Sequence, residues 1–466
     1  MTAELENPPH LQRHKARRLE FYWLCGLILS FAYELPLWQP TPYDRVNPRL
    51  FDVMFLIGVV GVLPHLRHGI RVSWLFRIWA SIVGVFCFCA TVWTIAILPW
   101  EYGQFSLFFA AKYIEGLIVI YIGTQIPLDA RQKKIIHQLI VCGGVFVALY
   151  AIPQYGSKPT EWAISGGKTV KSFEGAIFGP LSRTYFHIGL FSVLSFAMTL
   201  TLVPSIRSVP RSWLCLGLAF FVAWPALACG SRAAIAGTAI VLLVSVWLKP
   251  MLMRKSLVFA IMAACFVYLA GFNVRSFDAN QASLGFKRFE IYRNTENSIM
   301  NRIRFDYSID RYMFDGLPVP FIGAGFYVAP ISEGLNSLRY RVGYGIHNSY
   351  FFAFEQGGTA AFVLFLLFLA CGIHRLNKMR KSRMSVDVQF ALGLYAYMVF
   401  VLINGFAGQG FWRGFGTGNF NTYVILLLII ATQKINALNV ITNEQQNYRQ
   451  KQNSISMMNR LIDTGT

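Results

Sequence analysis

The chain returns again and again to apolar runs of about twenty residues, and that recurrence limits its fold more than any other feature. A helix needs roughly 20 consecutive apolar residues to cross the hydrocarbon core of a bilayer. Such runs lie near 20–39, 50–66, 74–100, 104–125, 135–155, 184–205, 213–229, 233–248, 255–273, 349–372, 387–408 and 418–434. With 55% hydrophobic and only 14% charged residues, the 466-residue chain is too apolar for a soluble multidomain enzyme. The expected fold class is an all-α polytopic membrane protein of about twelve transmembrane helices, with one long loop between helices 9 and 10.

Sidedness follows from counting Lys and Arg in the short loops. With the basic N-terminus inside, the inner loops 67–73, 126–134, 206–212, 249–254 and 373–386 are all basic, whereas the short outer loops 40–49, 101–103, 229–232 and 409–417 carry two, none, one and one such residues. Five parts follow: a cytoplasmic tail 1–19, helices 1–9 over 20–273, a periplasmic loop 274–347, helices 10–12 over 348–434, and a cytoplasmic tail 435–466. The N-terminal segment has no small-residue cleavage site after its apolar run and reads as retained. The net charge of +20 is largely accounted for by the basic inner loops and names no nucleic-acid partner. All eight cysteines lie in or beside apolar runs, with no CxxC pair and no Cys/His zinc spacing.

The long loop departs from the charge trend, with Arg275, Arg288, Arg293, Arg302, Arg304, Arg311, Arg339 and Arg341 against a single lysine, Lys287. Long loops translocate regardless of charge, so the topology stands. The bias toward Arg fits recognition of a multidentate anion, since guanidinium forks hold phosphate oxygens bidentately. Pairing with the loop's own carboxylates, such as Asp306, Asp310 and Glu333, is the alternative. Within the loop, Ile299, Ile303 and Tyr307 have helical spacing, and "DGLPVPFIGAGF" reads as a glycine-bearing turn. No internal repeat of the kind seen in rocking transporters is present.

Only two of the eight histidines, His187 and His347, fall on the outer side. His347 stands where a polar loop enters a helix, followed by Asn348, with Glu355 two turns further on. Arg183 and Arg232 lie at outer helix ends, and Arg302 and Arg304 on the expected loop helix. Snorkelling to lipid phosphates is the plainer role for a boundary arginine. Lys112 and Glu115, three residues apart within an apolar run, are expected to pair on one helix face.

Three stretches, "GSRAAIAG" (230–237), "PFIGAGF" (320–326) and "HNSYFFAFEQGGTAAF" (347–362), resemble the O-antigen ligase and O-antigen polymerase superfamily of bacterial membrane glycosyltransferases. The likeness covers about residues 225–365, and the N-terminal half shares only hydropathy and a Lys in the fourth span. It implies transfer, at the periplasmic face of the inner membrane, of a glycan from undecaprenyl diphosphate to an acceptor hydroxyl. The acceptor would be a second lipid-linked glycan for a polymerase and lipid A core for a ligase; other polysaccharide-assembly proteins would be partners.

By the resemblance, His347 is the catalytic residue that deprotonates or orients the attacking hydroxyl, and Arg232 with Arg302 or Arg304 binds the diphosphate; no Asp-x-Asp metal site stands on the outer side, so no metal or cofactor is expected. Arg183 is a further diphosphate candidate, and Asn348, Glu355 and His187 are supporting or acceptor-side candidates. The family places an aromatic residue four positions after its loop arginine, but Asp306 and Ser308 stand there, which leaves both arginines open. Polymerase is the leading expectation, ligase the alternative. A lipid-linked oligosaccharide flippase is the alternative from another class.

Overall fold

The structure is a computed structural model and describes residues 9–33, 49–66, 72–96, 100–152, 164–165, 168–169, 185–203, 209–228, 232–250, 252, 319–323, 328–332, 338–342, 348–381, 385–406 and 420–432. Most of these residues are helical. The elements are α1 (Pro9–Ser30), α2 (Leu50–Ile57), α3 (Trp74–Ala96), α4 (Trp100–Gln125), α5 (Ala130–Ala151), α6 (Tyr185–Leu202), α7 (Val209–Ala228) and α8 (Arg232–Leu248). There follow the one-turn α9 (Val319–Ile322), then α10 (Ser349–Met379), α11 (Ser385–Gly405) and α12 (Phe420–Thr432). α2 runs on through a π-helical turn, Gly58–Val62, and a 3₁₀ turn, Leu63–His65.

Among the described residues, six helices are long and apolar enough to cross a membrane: Trp74–Ala96, Ser106–Gln125, Ala130–Ala151, Pro210–Leu227, Ser349–Met379 and Val388–Gly405. Four shorter apolar helices accompany them, Leu50–His65, Ile188–Leu202, Ala233–Leu248 and Asn421–Thr432. Ile95 is 81% exposed, Leu214 75%, Val60 74% and Leu243 68%. Large apolar side chains turned outward on so many elements suit a hydrocarbon solvent rather than water.

Eleven of the twelve apolar runs contain a helix over the part of them that is described, six of these helices are long enough to cross a membrane, and 255–273 lies outside the described residues. Several boundaries differ. α1 begins at Pro9, inside the expected tail, and stops at Ser30. α10 continues to Met379 through the expected loop 373–386, and α5 starts at Ala130 within the expected loop 126–134. Arg, Lys and Gln are good helix formers, so a helix runs past the point where its residues stop being apolar. Asp129 sets the start of α5 as a capping box, with Oδ1 accepting from the Gln132 N–H at 2.7 Å and the Gln132 Oε1 accepting from the Asp129 N–H at 3.0 Å. Lys133, counted among loop charges by its sequence, is 1% exposed.

Among the described residues, two antiparallel strand pairs supplement the helices, β1 (Ile164–Ser165) with β2 (Lys168–Thr169), and β3 (Val328–Ser332) with β4 (Leu338–Val342). The second occupies the expected long loop, as does α9. The amphipathic helix expected over 299–307 lies outside the described residues.

Contacts within the bundle show which helix ends lie together. At α3–α4, a Cβ on Gly103 would stand 2.6 Å from the Thr94 methyl, so the end of α3 and the start of α4 are level. α3 and α10 pack closely. Phe86, ten residues before the end of α3, faces Gly357, nine residues into α10. Gly237 in α8 meets the ring of Phe400 in α11, and Gly405 at the end of α11 meets the ring of Tyr350 at the start of α10. The starts of α4, α8 and α10 therefore share one end of the bundle with the ends of α3 and α11. At the other end, Lys249 donates to the Thr201 carbonyl at 3.2 Å, which puts the start of α6 with the first group.

Lys112 does pair with Glu115, at 2.7 Å, and also with Asp52 of α2, at 2.6 Å. The Asp52 Oδ2 accepts in turn from the Arg49 N–H at 2.7 Å. The pair expected from sequence is thus a triad joining α2 to α4, with side-chain exposures of 28% for Lys112, 23% for Asp52 and 11% for Glu115. Lys112→Met would leave two carboxylates without their shared cation. It should cost about 3 kcal/mol, the low end for a broken buried pair, whereas Glu115→Gln keeps the Lys112–Asp52 bond and should cost less. Thermal melting of the two variants in one detergent checks the order.

Candidate functional site

The shared bundle end collects most of the described candidate residues. Asn348 is the N-cap of α10, with extended φ −124° and ψ 123°. Its Oδ1 accepts from the N–H groups of Tyr350, at 2.9 Å, and Phe351, at 3.2 Å. This is the usual reason for Asn at that position, since the first turn has no other acceptors for its N–H groups. The Asn348 Nδ2 donates to the Phe406 carbonyl at 3.3 Å, and the Tyr350 hydroxyl donates to the Leu402 carbonyl at 2.8 Å. Both polar ends of Asn348 are engaged, and together the two residues tie the start of α10 to the end of α11.

Below this tie, a cavity of about 820 Å³ runs between α10 and α11, lined by Tyr350, Phe362, Leu366, Ile373, Leu402 and Phe406. Asn348 stands at its head. Apart from Asn348 and the Tyr350 hydroxyl, its lining side chains are apolar.

Two turns along, α10 breaks. Gly357 has φ −134° and ψ 15°, and Gly358 has φ 65° and ψ −164°, a conformation open essentially to glycine alone. Glu355 and Gln356, 4% and 1% exposed, sit immediately before the break, and the Gln356 Nε2 donates weakly to the Glu355 Oε2 at 3.4 Å. A break at membrane depth frees backbone groups and is tolerated only where protein covers it or where it lines a cavity.

The cover includes the loop segment α9 and Gly323. Gly323 has φ +60°, and a Cβ on it would overlap the Gln356 carbonyl oxygen and stand 2.5 Å from the Gly357 nitrogen. From the other side, a Cβ on Gly357 would come within 2.7 Å of Phe86. Two of the stretches singled out by sequence, 320–326 and 347–362, are thus in backbone-to-backbone contact.

The third stretch, 230–237, opens α8. Arg232 is the first residue of that helix, and the Gly237–Phe400 contact sets it level with the end of α11 and hence with Asn348. His187, the third residue of α6, begins its helix at the same end. His347, Arg183, Arg302 and Arg304 lie outside the described residues. Sequence reasoning missed Asp52, although a lone acid three residues into an apolar run was an available signal, and it missed the contact of Gly323 with the α10 break, for which spacing gives no signal.

Comparison with known proteins places the chain in no group: no protein-family model matches it, and no curated protein does.

Proposed function

We propose that the chain is an inner-membrane glycosyltransferase that moves a glycan from undecaprenyl diphosphate to an acceptor hydroxyl at the periplasmic face, as an O-antigen or exopolysaccharide polymerase. The observation that carries this reading is the docking of Gly323 on the break of α10, at the end of the bundle where α8 begins with Arg232. It brings two of the three stretches that resemble one enzyme superfamily into contact, with the third opening a helix at the same end of the bundle. The apolar cavity headed by Asn348 supports it further, because a lipid-linked substrate brings a long hydrocarbon chain to a polar reaction.

In the proposed reaction the acceptor hydroxyl attacks the anomeric carbon, the bond from that carbon to the diphosphate oxygen breaks, and the lipid diphosphate leaves. His347 takes the hydroxyl proton, a role suited to a group titrating near neutrality. Arg232, with Arg302 or Arg304 and Arg183, meets the charge that grows on the departing diphosphate; such preorganised donors are a strong source of rate. Asn348 acts as a positioning residue, fixing the helix that His347 precedes. Glu355 and His187 are supporting residues of the same end.

Deletion of the gene in its host tests the reading. A polymerase deletion should leave single repeat units, lipid-linked, at the outer face of the inner membrane. Repeat units trapped at the inner face would instead indicate a flippase, and finished polymer held on the lipid carrier would indicate a ligase. Arg232→Lys should lower transfer by about tenfold or more at matched membrane abundance, because the ammonium keeps the charge but loses the fork. Equal activity of the lysine variant in a membrane transfer assay would reduce Arg232 to a lipid-anchoring residue.

A further inference from the structure

The cavity between α10 and α11 has a second end, and a cation is fixed there. Its lining residues Phe362, Leu366, Leu369 and Ile373 recur along α10 at three- and four-residue steps, and the same face continues to Asn377 and Arg380. On α11, Tyr395 lies seven residues before Leu402 and so shares the face that carries Leu402 into the cavity. The two faces meet. The guanidinium carbon of Arg380 lies 5.3 Å from the centre of the Tyr395 ring, and Arg380 Nε donates to Asn377 Oδ1 at 2.6 Å. The groove that Asn348 heads therefore has Arg380, Asn377 and Tyr395 at its foot.

Arg380 is the C-cap of α10, and an arginine at a membrane helix end ordinarily extends away from hydrocarbon into water. Here both of its partners lie back along the bundle. Asn377 is three residues before it, and Tyr395 is ten residues into α11, about 15 Å of helix from Ser385. Serving the last carbonyls of its own helix is the other ordinary task for such a residue, yet the guanidinium hydrogen bonds to a side chain. Among the described residues its two terminal nitrogens have no hydrogen-bond partner. Nor is there an acid nearby in the chain: Arg375, Lys378, Arg380, Lys381 and Arg383 lie in a stretch with no Asp or Glu between Glu355 and Asp387.

We infer that the foot of this groove is a site for an anionic glycerophospholipid, whose phosphate meets the terminal nitrogens of Arg380 and whose acyl chain rises past Ile373 and Leu369 into the cavity. The leaflet is the one at the α10–α11 turn, the inner leaflet by the loop charges, where anionic lipids attract cations beside a helix end. Charge selects the headgroup, because an acid-free run of five cations favours a net negative lipid over a zwitterionic one. The apolar lining selects the chain, because a free phosphate would satisfy the guanidinium and leave the cavity unfilled. From Arg380 to Phe362 is about 27 Å of helix, close to the roughly 30 Å of a hydrocarbon core. One chain from each leaflet fits it end to end, so the lipid leaves the end under Asn348 to the proposed substrate and is independent of the transfer reading.

The test is native mass spectrometry of the purified full chain, released from detergent with added dioleoyl phosphatidylglycerol or dioleoyl phosphatidylcholine. The wild type should retain phosphatidylglycerol on the order of tenfold more tightly than phosphatidylcholine, and Arg380→Ala should bring the two lipids close to parity. Lys378→Ala removes a cation from the same turn but from the far face of α10, and should keep the preference. Ala370→Phe leaves every charge in place and fills the groove at an exposed position, so it should weaken phosphatidylglycerol retention without touching Arg380. Equal retention of the two lipids by the wild type overturns the inference, as does an Arg380→Ala protein that keeps the wild-type preference. A loss in Lys378→Ala as large as in Arg380→Ala would reduce the site to a general basic surface and overturn it too. Unchanged retention in Ala370→Phe, or displacement of the lipid by excess glycerol 3-phosphate, would overturn the placing of the chain in the groove. Glycan transfer enters none of these outcomes, so a chain that transfers nothing and still shows the Arg380-dependent preference keeps this site and loses only the transfer reading.

Discussion

Replacing His347 by alanine should lower transfer turnover roughly 10²–10⁴-fold, the range for a positioned general base, with little change in melting temperature. The stability half of this expectation comes from the structure: the start of α10 is held by Asn348 and Tyr350, through bonds to Phe406 and Leu402, and none of these uses the preceding histidine. The activity half comes from chemistry, because His347 and His187 are the only imidazoles expected on the outer side, and His347 alone is followed by a helix N-cap. Geranyl diphosphate binding should survive in His347→Ala if the histidine serves the acceptor hydroxyl. Its loss would move the residue to the diphosphate. A chelator should leave the wild type unchanged, since the diphosphate charge is assigned to arginines. Turnover assays with and without EDTA, at matched protein and after a melting-temperature check, measure all of these.

Gly323→Ala should be nearly as damaging by a different route. The residue has φ +60°, which costs a non-glycine residue about 1–2 kcal/mol, and the added methyl would sit on the Gln356 carbonyl. Backbone cannot move aside as the end of a flexible side chain can, so the loop segment has to lift from the break in α10. The expected outcome is a lower melting temperature, faster proteolysis within 274–347, and transfer activity reduced at least as far as in Arg232→Lys. As a control, alanine at Gly61, where an added Cβ meets nothing within 4 Å, should change none of the three. A Gly323→Ala protein with wild-type proteolysis and activity would mean that the docking of the loop on α10 has no part in function.

The helices were legible in the sequence because hydropathy marks where side chains meet hydrocarbon, and α3, α4, α8, α11 and α12 lie close to their apolar runs. Their ends were less legible because backbone hydrogen bonding ignores hydropathy. α10 continues to Met379 past Arg375 and Lys378, and α1 reaches back to Pro9. The Lys112–Glu115 pair could be read from helical spacing, but its third member, Asp52, is sixty residues away and spacing carries no information at that range. The same holds for Gly323 and the 357–358 break: each glycine signals an unusual backbone, and neither says what it touches. β4 was visible in principle, since "LRYRV" alternates with period two, but Pro330 in the partner strand weakens the pattern there. Asn348 beside a helix start fitted an acceptor-handling role from sequence alone. Its bonds to Tyr350, Phe351 and Phe406 give it a structural task as well.

The central claim is chemical, and turnover by the purified protein tests it most directly. The chain, in nanodiscs with a lipid-linked repeat unit as sole glycan substrate, should convert single units into a ladder of longer lipid-linked products and release undecaprenyl diphosphate in equal number to the bonds formed. His347→Ala should abolish both. Unchanged repeat units and no free lipid diphosphate, under conditions where the protein is folded and binds geranyl diphosphate, would contradict the account.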